Sequence, residues 1–269
     1  MKKNRLWHIL TGIIFLTWGI MFLPGISHAE ENSFGAVLIL TDVSGSMQDP
    51  ASGFEITDQE GRKQEKRISK SEAAKELVVQ ITNELSEKSC KFGIYTMCYK
   101  AGFKELYSPF LSIDNYNAQE IKDIVTDKFI TKYPVFNRRT PIADTLRQLD
   151  ENEFKALNGS IRVLIISDGK ESFYDLEKDK NNTQTQDEKV IGPLTETRRL
   201  KEKYGQALSI YTVFMEDVSD KDKKDKPQGA VLLEDMASAS AGKYFAGKEL
   251  LENKSQIDEL VNLLCSSIQ

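Results

Sequence analysis

Asp42-Val43-Ser44-Gly45-Ser46 gathers one carboxylate and two hydroxyls within five residues, and Gly45 allows a tight turn between the serines. These are hard oxygen donors, the kind a small divalent cation takes. Alone, the pentapeptide fits an Asx or Ser turn with a helix cap equally well. Two further features point the same way. Asp168-Gly169 closes another apolar run with a second acid, and Thr140-Pro141 opens a helical pattern with a third hydroxyl. Taken singly, Asp168 reads as a turn acid and Thr140 as an N-cap. Together, Asp42, Ser44, Ser46, Thr140 and Asp168 form an all-oxygen set with a charge near -2, suited to an octahedral cation that keeps some water: Mg²⁺, with Mn²⁺ as the alternative.

The chemistry that remains is narrowed by histidine. Both histidines, His8 and His28, fall in the first 29 residues. If that stretch is removed, hydrolases with a histidine base and histidine-ligated zinc are excluded. The stretch has the form of an export signal. Lys2, Lys3 and Arg5 precede an apolar run from Leu6 to Leu23, and Ser27-His28-Ala29 offers small residues at the cleavage positions. The expected mature start is Glu30, which places the protein in the periplasm or outside the cell. The alternative is an uncleaved anchor, since 18 apolar residues approach a membrane span. Cleavage would move the formal charge from -5 to -8, which argues against nucleic acid as a partner. A membrane enters only if the segment is retained. With 40% hydrophobic and 29% charged residues, the rest of the chain can bury a core and is not a disordered tail.

The elements that must position the donors are short and buried. Phe34 to Thr41, Ile161 to Ser167 and Ala207 to Met215 are nearly unbroken apolar runs, the pattern of strands covered on both faces of a parallel sheet. Helical patterns lie between them. Ala74, Leu77, Val78, Ile81 and Leu85 share a face, with Ser69 and Glu72 forming a capping box. Thr140 caps a helix with Pro141 at its first position, running on through Ile142 to Leu149. Leu194 to Tyr204 ends on Gly205, and Ile257, Leu260, Val261 and Leu264 stripe a last helix that carries Cys265 on the same face. Alternating strands and helices predict a doubly wound α/β fold with a mainly parallel central sheet in a single domain. The polar stretches Asp49 to Arg67, Lys170 to Lys189 and Asp217 to Gln228 read as loops at the carboxyl edge, where such sheets bind ligands.

Three cysteines in an exported chain allow one bridge and one thiol, or three thiols. Cys90 and Cys98 flank Lys91 to Met97. If that run is a strand at about 3.3 Å per residue, those two sulfurs lie too far apart to bond, which leaves either of them to pair with Cys265.

The motifs D-V-S-G-S-M at Asp42 to Met47, T-P-I at Thr140 to Ile142 and I-I-S-D-G at Ile165 to Gly169 occur in the order found in von Willebrand factor type A (vWA) domains, and the chain resembles that family. Ala237 to Phe245 resembles its last helix-to-strand segment, and the resemblance spans residues 34–264. It implies a Rossmann-like fold and a metal-ion-dependent adhesion site. There Ser44, Ser46 and Thr140 would touch the cation, Asp42 and Asp168 would act largely through water, and a partner's Asp or Glu would complete the shell. The chain departs from many bacterial members in having Arg138-Arg139 before Thr140 instead of glycine. Arg138, Arg139 and Lys170 thereby become candidate contacts for an acidic partner. The segment from Met47 to Ser69 is longer than usual, with room for a hairpin turning near Glu60-Gly61. Asp49 could support a second cation, although Pro50 stands where a neighbouring acid would help. The resemblance also places the start of the second core strand beside the end of the last helix, which implies a Cys90 to Cys265 disulfide with Cys98 outside it.

The expected function is a non-catalytic, cation-dependent module for protein binding or adhesion. Two alternatives stand beside it: metal-assisted phosphoester hydrolysis, and a membrane-anchored envelope scaffold that uses the fold without metal.

Overall fold

The computed structural model describes residues 35–51, 54–57, 63–66, 68–88, 90–99, 106–121, 123–125, 139–157, 159–172, 192–217 and 225–266. The expected signal segment, the cleavage site at Glu30 and Arg138 lie outside the described residues. The chain divides into Met1–Ser33 and Phe34–Gln269, and every described residue belongs to the second unit.

Eight strands are present among the described residues: β1 (Ala36–Asp42), β2 (Phe54–Thr57), β3 (Lys63–Lys66), β4 (Lys91–Met97), β5 (Tyr107–Asp114), β6 (Ile161–Ser167), β7 (Leu208–Phe214) and β8 (Tyr244–Ala246). The helices are α1 (Lys70–Glu87), α2 (Ile142–Asn152), α3 (Pro193–Tyr204), α4 (Gln228–Ala239), α5 (Gly247–Glu252) and α6 (Lys254–Cys265), and residues 118–121 and 123–125 are helical as well. Six strands form the main sheet in the order β5-β4-β1-β6-β7-β8, parallel throughout except where β5 runs against β4. This is the expected doubly wound α/β architecture.

The unbroken apolar runs are explained by burial on both faces. Along β1, Val37 and Ile39 enter one core with Leu77, Ile81 and Leu85 of α1 and Ile257, Leu260 and Leu264 of α6. Ala36, Leu38 and Leu40 alternate into a second core with Leu146 and Leu149 of α2, Leu200 of α3 and Leu233 of α4. Burying a leucine or isoleucine of this kind stabilises the fold by about 1.5–3 kcal/mol. The capping box of α1 is in place: Ser69 Oγ accepts from the Glu72 amide at 3.2 Å, and the Ser69 amide donates to Glu72 Oε2 at 2.9 Å. Gly205 ends α3 with φ +56°, a backbone state that favours glycine.

Two expectations need correction or completion. Thr140 is not the N-cap of α2. Pro141 holds that position, without a side-chain cap, and the helix starts at Ile142. The cap is supplied from elsewhere in the chain, because the Ile142 amide donates to Glu171 Oε2 at 2.8 Å. The segment after Met47 does contain a hairpin pairing: β2 and β3 run antiparallel from Phe54 with Lys66 to Thr57 with Lys63, and the expected turning point at Glu60-Gly61 lies outside the described residues. Cys90, just before β4, is disulfide-bonded to Cys265 at the end of α6, with the Cα atoms 6.1 Å apart. Half-buried Cys98 takes no part in that bond. No helix among the described residues is long and apolar enough to cross a membrane.

Candidate metal centre at the carboxyl edge of the sheet

The chain winds from β1 through α1 to β4 on one side and later returns to place β6 on the other side of β1. The carboxyl ends of β1 and β6 therefore flank the topological switch point, where open α/β sheets leave a crevice. Asp42 is the last residue of β1, and Asp168 follows the last residue of β6. Beyond Asp42 the chain turns through one 3-10 turn, Gly45–Gln48, which Met47 anchors in the core. Gly169 turns away from β6 with φ +64°. It packs against Gly229 of α4, where a Cβ would come within 2.2 Å of the Asp168 carbonyl oxygen.

The five expected residues come together. Asp42 is buried, and both its oxygens accept hydrogen bonds: Oδ1 from the Ser44 amide at 2.8 Å, Oδ2 from Thr140 Oγ1 at 3.2 Å and from Ser167 Oγ at 2.7 Å. Ser44 Oγ and Ser46 Oγ lie 3.2 Å apart. Asp168 is held just as firmly, Oδ1 by the Lys170 amide at 3.2 Å and Oδ2 by Lys70 Nζ at 2.6 Å. Ser167 ties the two acids together, since its Oγ donates to Asp42 and accepts from the Gly169 amide at 3.0 Å. Buried Thr140 gives its hydroxyl proton to Asp42, which leaves the lone pairs of its oxygen able to accept.

Lys70 and Lys170 share three carboxylates. Lys70 Nζ lies 2.6 Å from Asp168, 3.5 Å from Asp217 and 3.8 Å from Asp49. Lys170 Nζ lies 3.3 Å from Asp49 and 3.7 Å from both Asp168 and Asp217. Asp49, considered from sequence as support for a second cation, is thus engaged by two ammonium groups. Burial depresses the Lys170 pKa, but the surrounding acids, Asp168 first, leave it raised overall. Burial, together with the Asp168 charge, pushes the Asp42 carboxyl up to about 6 despite its hydrogen bonds to Ser167 and Ser44. A cleft of about 320 Å³ lies against Asp168, with Lys70, Lys170, Phe214, Pro227 and Gly229 in its wall.

The donor set fits a hard divalent cation in one particular way. Neither carboxylate has an oxygen without a protein donor, whereas Ser44, Ser46 and Thr140 offer three hydroxyl oxygens at the turn. No group of three or more His, Cys, Asp or Glu side chains suited to a metal occurs among the described residues. Of the candidate partner contacts, Arg139 is exposed and Lys170 is half-exposed.

Several residues of the site escaped sequence reading. Ser167 could have been found, because a serine ending a strand that is apolar from Val163 to Ile166, beside Asp168, is out of pattern. Glu171 and Asp217 join through loop geometry: isolated bridges connect Thr140 with Glu171 and Ala51 with Asp217. Lys70 carried no signal, since a lysine in the first turn of a helix reads as solvated.

No family model matches the chain, and no curated protein matches it. Solved structures do. The PilB minor pilin from Streptococcus sanguinis superposes with a TM-score of 0.52 at 11% identity, over 85% of this chain and 61% of the pilin. The pilus adhesin SpaC from Lactobacillus rhamnosus GG gives 0.52 at 12% identity, over 84% of this chain and 30% of the adhesin. A von Willebrand factor type A structure from Catenulispora acidiphila gives 0.46 at 12% identity, over 86% and 43% of the two chains. At such identities the likeness concerns the fold alone. The sheet order and the gathering of three separate motifs at one carboxyl edge define a doubly wound α/β domain. It shares that fold with the pilin and the adhesin.

Proposed function

We propose that this chain is an exported, non-catalytic binding module that takes one divalent cation, Mg²⁺ or Mn²⁺, at Ser44, Ser46 and Thr140. It would use that cation to engage an Asp or Glu of a protein partner. The observation that carries the reading is the engagement of both oxygens of Asp42 and of Asp168 by protein donors. Asp42 orients the hydroxyls and Asp168 stays paired with Lys70, so a cation held by neutral oxygens would keep its affinity for an external carboxylate. Exposed Arg139 suits an acidic approach, whereas Lys170 is already shared among Asp49, Asp168 and Asp217. The same engagement speaks against phosphoester hydrolysis, because the two acids nearest the site are occupied as acceptors and poorly set to serve as a general base. Export is supported by the basic and apolar start of the sequence and by the disulfide, a bond that persists in oxidising compartments. Calorimetric titration with Mg²⁺ tests the reading. One saturable site, lost in Ser44→Ala and in Thr140→Ala variants that remain folded, is expected; equal binding by the variants would contradict it.

A further inference from the structure

Lys70 is withdrawn completely from water although it is the first residue of α1. Both circumstances are unfavourable for an ammonium, since the helix N-terminus already carries partial positive charge and burial strips the group of hydration. Three carboxylates compensate, and the shortest contact, 2.6 Å, goes to Asp168 Oδ2. Lys170 reaches the same oxygen only at 3.7 Å and is half-exposed, so water screens its charge. The two lysines are therefore not equivalent.

We infer that Lys70 is a positioning residue that sets the charge of the cation site. By holding Asp168 Oδ2, while the Lys170 amide holds Oδ1, it disfavours direct ligation of the cation by that carboxylate, and it cancels one negative charge beside the site. The site then binds its cation less tightly than its acids would allow, and the cation keeps more of its attraction for an incoming carboxylate. This rests on the metal-binding reading above. Replacing Lys70 with a neutral residue releases Asp168 toward the cation and removes a buried positive charge that repels it. Cation affinity should rise. A lysine that only braced the fold would act in the opposite direction, because losing it would loosen the site.

The test is calorimetric titration with Mg²⁺ alone on the wild-type chain, Lys70→Met, Lys70→Arg and Lys170→Met, with thermal unfolding followed with and without Mg²⁺. Lys70→Met is expected to bind Mg²⁺ at least tenfold more tightly and to gain more thermal stability from it than the wild type does. Lys70→Arg and Lys170→Met should stay within about threefold of wild type. If Lys70→Met does not fold without metal, Lys70→Gln, which removes the charge but can still donate to Asp168, should bind Mg²⁺ more tightly than the wild type, by less than Lys70→Met would. A variant that folds only with Mg²⁺ supports the inference, and one that folds in neither condition counts against it. Equal or weaker Mg²⁺ binding by a folded Lys70→Met overturns the role of Lys70 and leaves the metal reading standing. No binding by either the wild-type chain or the Lys70 variants overturns the metal reading itself.

Discussion

Asp42 offers a direct test of the electrostatics of the site. Its carboxyl is fully buried beside Asp168, and its pKa rises from 3.8 to about 6 in the folded chain. A proton is therefore held more tightly by the folded state than by the unfolded one. The stability gained from protonating Asp42 is complete below pH 3.8 and disappears as pH rises through about 6. About two pKa units at about 1.4 kcal/mol each make this contribution about 3 kcal/mol. Asp42→Asn cannot ionise. It also weakens the acceptors for Ser44, Thr140 and Ser167, but that cost is a constant offset, so the readout is the slope with pH. Urea unfolding of both chains in a chelator, from pH 4 to pH 7, should show the wild type losing about 2 kcal/mol relative to the variant, since part of the contribution is already gone at pH 4. Saturating Mg²⁺ should abolish the loss, because the cation favours the ionised acid. A difference between the chains that stays flat to within about 0.5 kcal/mol would refute the account of a desolvated acid awaiting a cation.

Two further outcomes follow from packing and connectivity. The Cys90 to Cys265 bond closes 175 residues of chain, and the chain-entropy relation gives about 5 kcal/mol for a loop of that length. Paired Cys90→Ser and Cys265→Ser substitutions should lower unfolding stability by about 2–5 kcal/mol in urea, and reductant should have no further effect on the variant; a loss below about 1 kcal/mol would show that the bond constrains little. Gly229→Ala places a Cβ 2.2 Å from the Asp168 carbonyl oxygen, so α4 or the Asp168 turn must move. Crowding should outweigh the helix-propensity gain and cost about 1–3 kcal/mol while weakening Mg²⁺ binding; a higher melting temperature would contradict that packing.

Much of the fold is legible because the sheet is buried on both sides. Val37, Ile39, Leu164 and Ile166 face one core while Leu38, Leu40, Val163 and Ile165 face the other, so the sequence has to be apolar without interruption. Strand β5 was not anticipated, since it runs along the sheet edge with mostly half-buried or exposed residues and lacks that pattern. The five candidate residues were legible as a cluster because Asp42 ends an apolar strand, Asp168 follows another, Ser44 and Ser46 share a glycine-containing turn and Thr140 precedes a helix-starting proline. What surrounds them was not. Lys70 and Asp168 are 98 residues apart, and Glu171 caps a helix that begins 29 residues earlier. Long-range charge pairs leave no periodicity in a sequence. Thr140 shows the same limit in reverse: its placement before Pro141 reads as a cap, yet Asp42 draws its hydroxyl across the sheet edge.

The central claim, a cation held by hydroxyl oxygens with its acids one step removed, is tested most directly by a crystal structure of the chain soaked in Mn²⁺, with anomalous scattering measured at the metal edge. The account expects one peak in contact with Ser44 Oγ, Ser46 Oγ and Thr140 Oγ1, with Lys70 still bonded to Asp168. An absent peak, or Mn²⁺ ligated by Asp42 and Asp168 with the serines turned away, would contradict it.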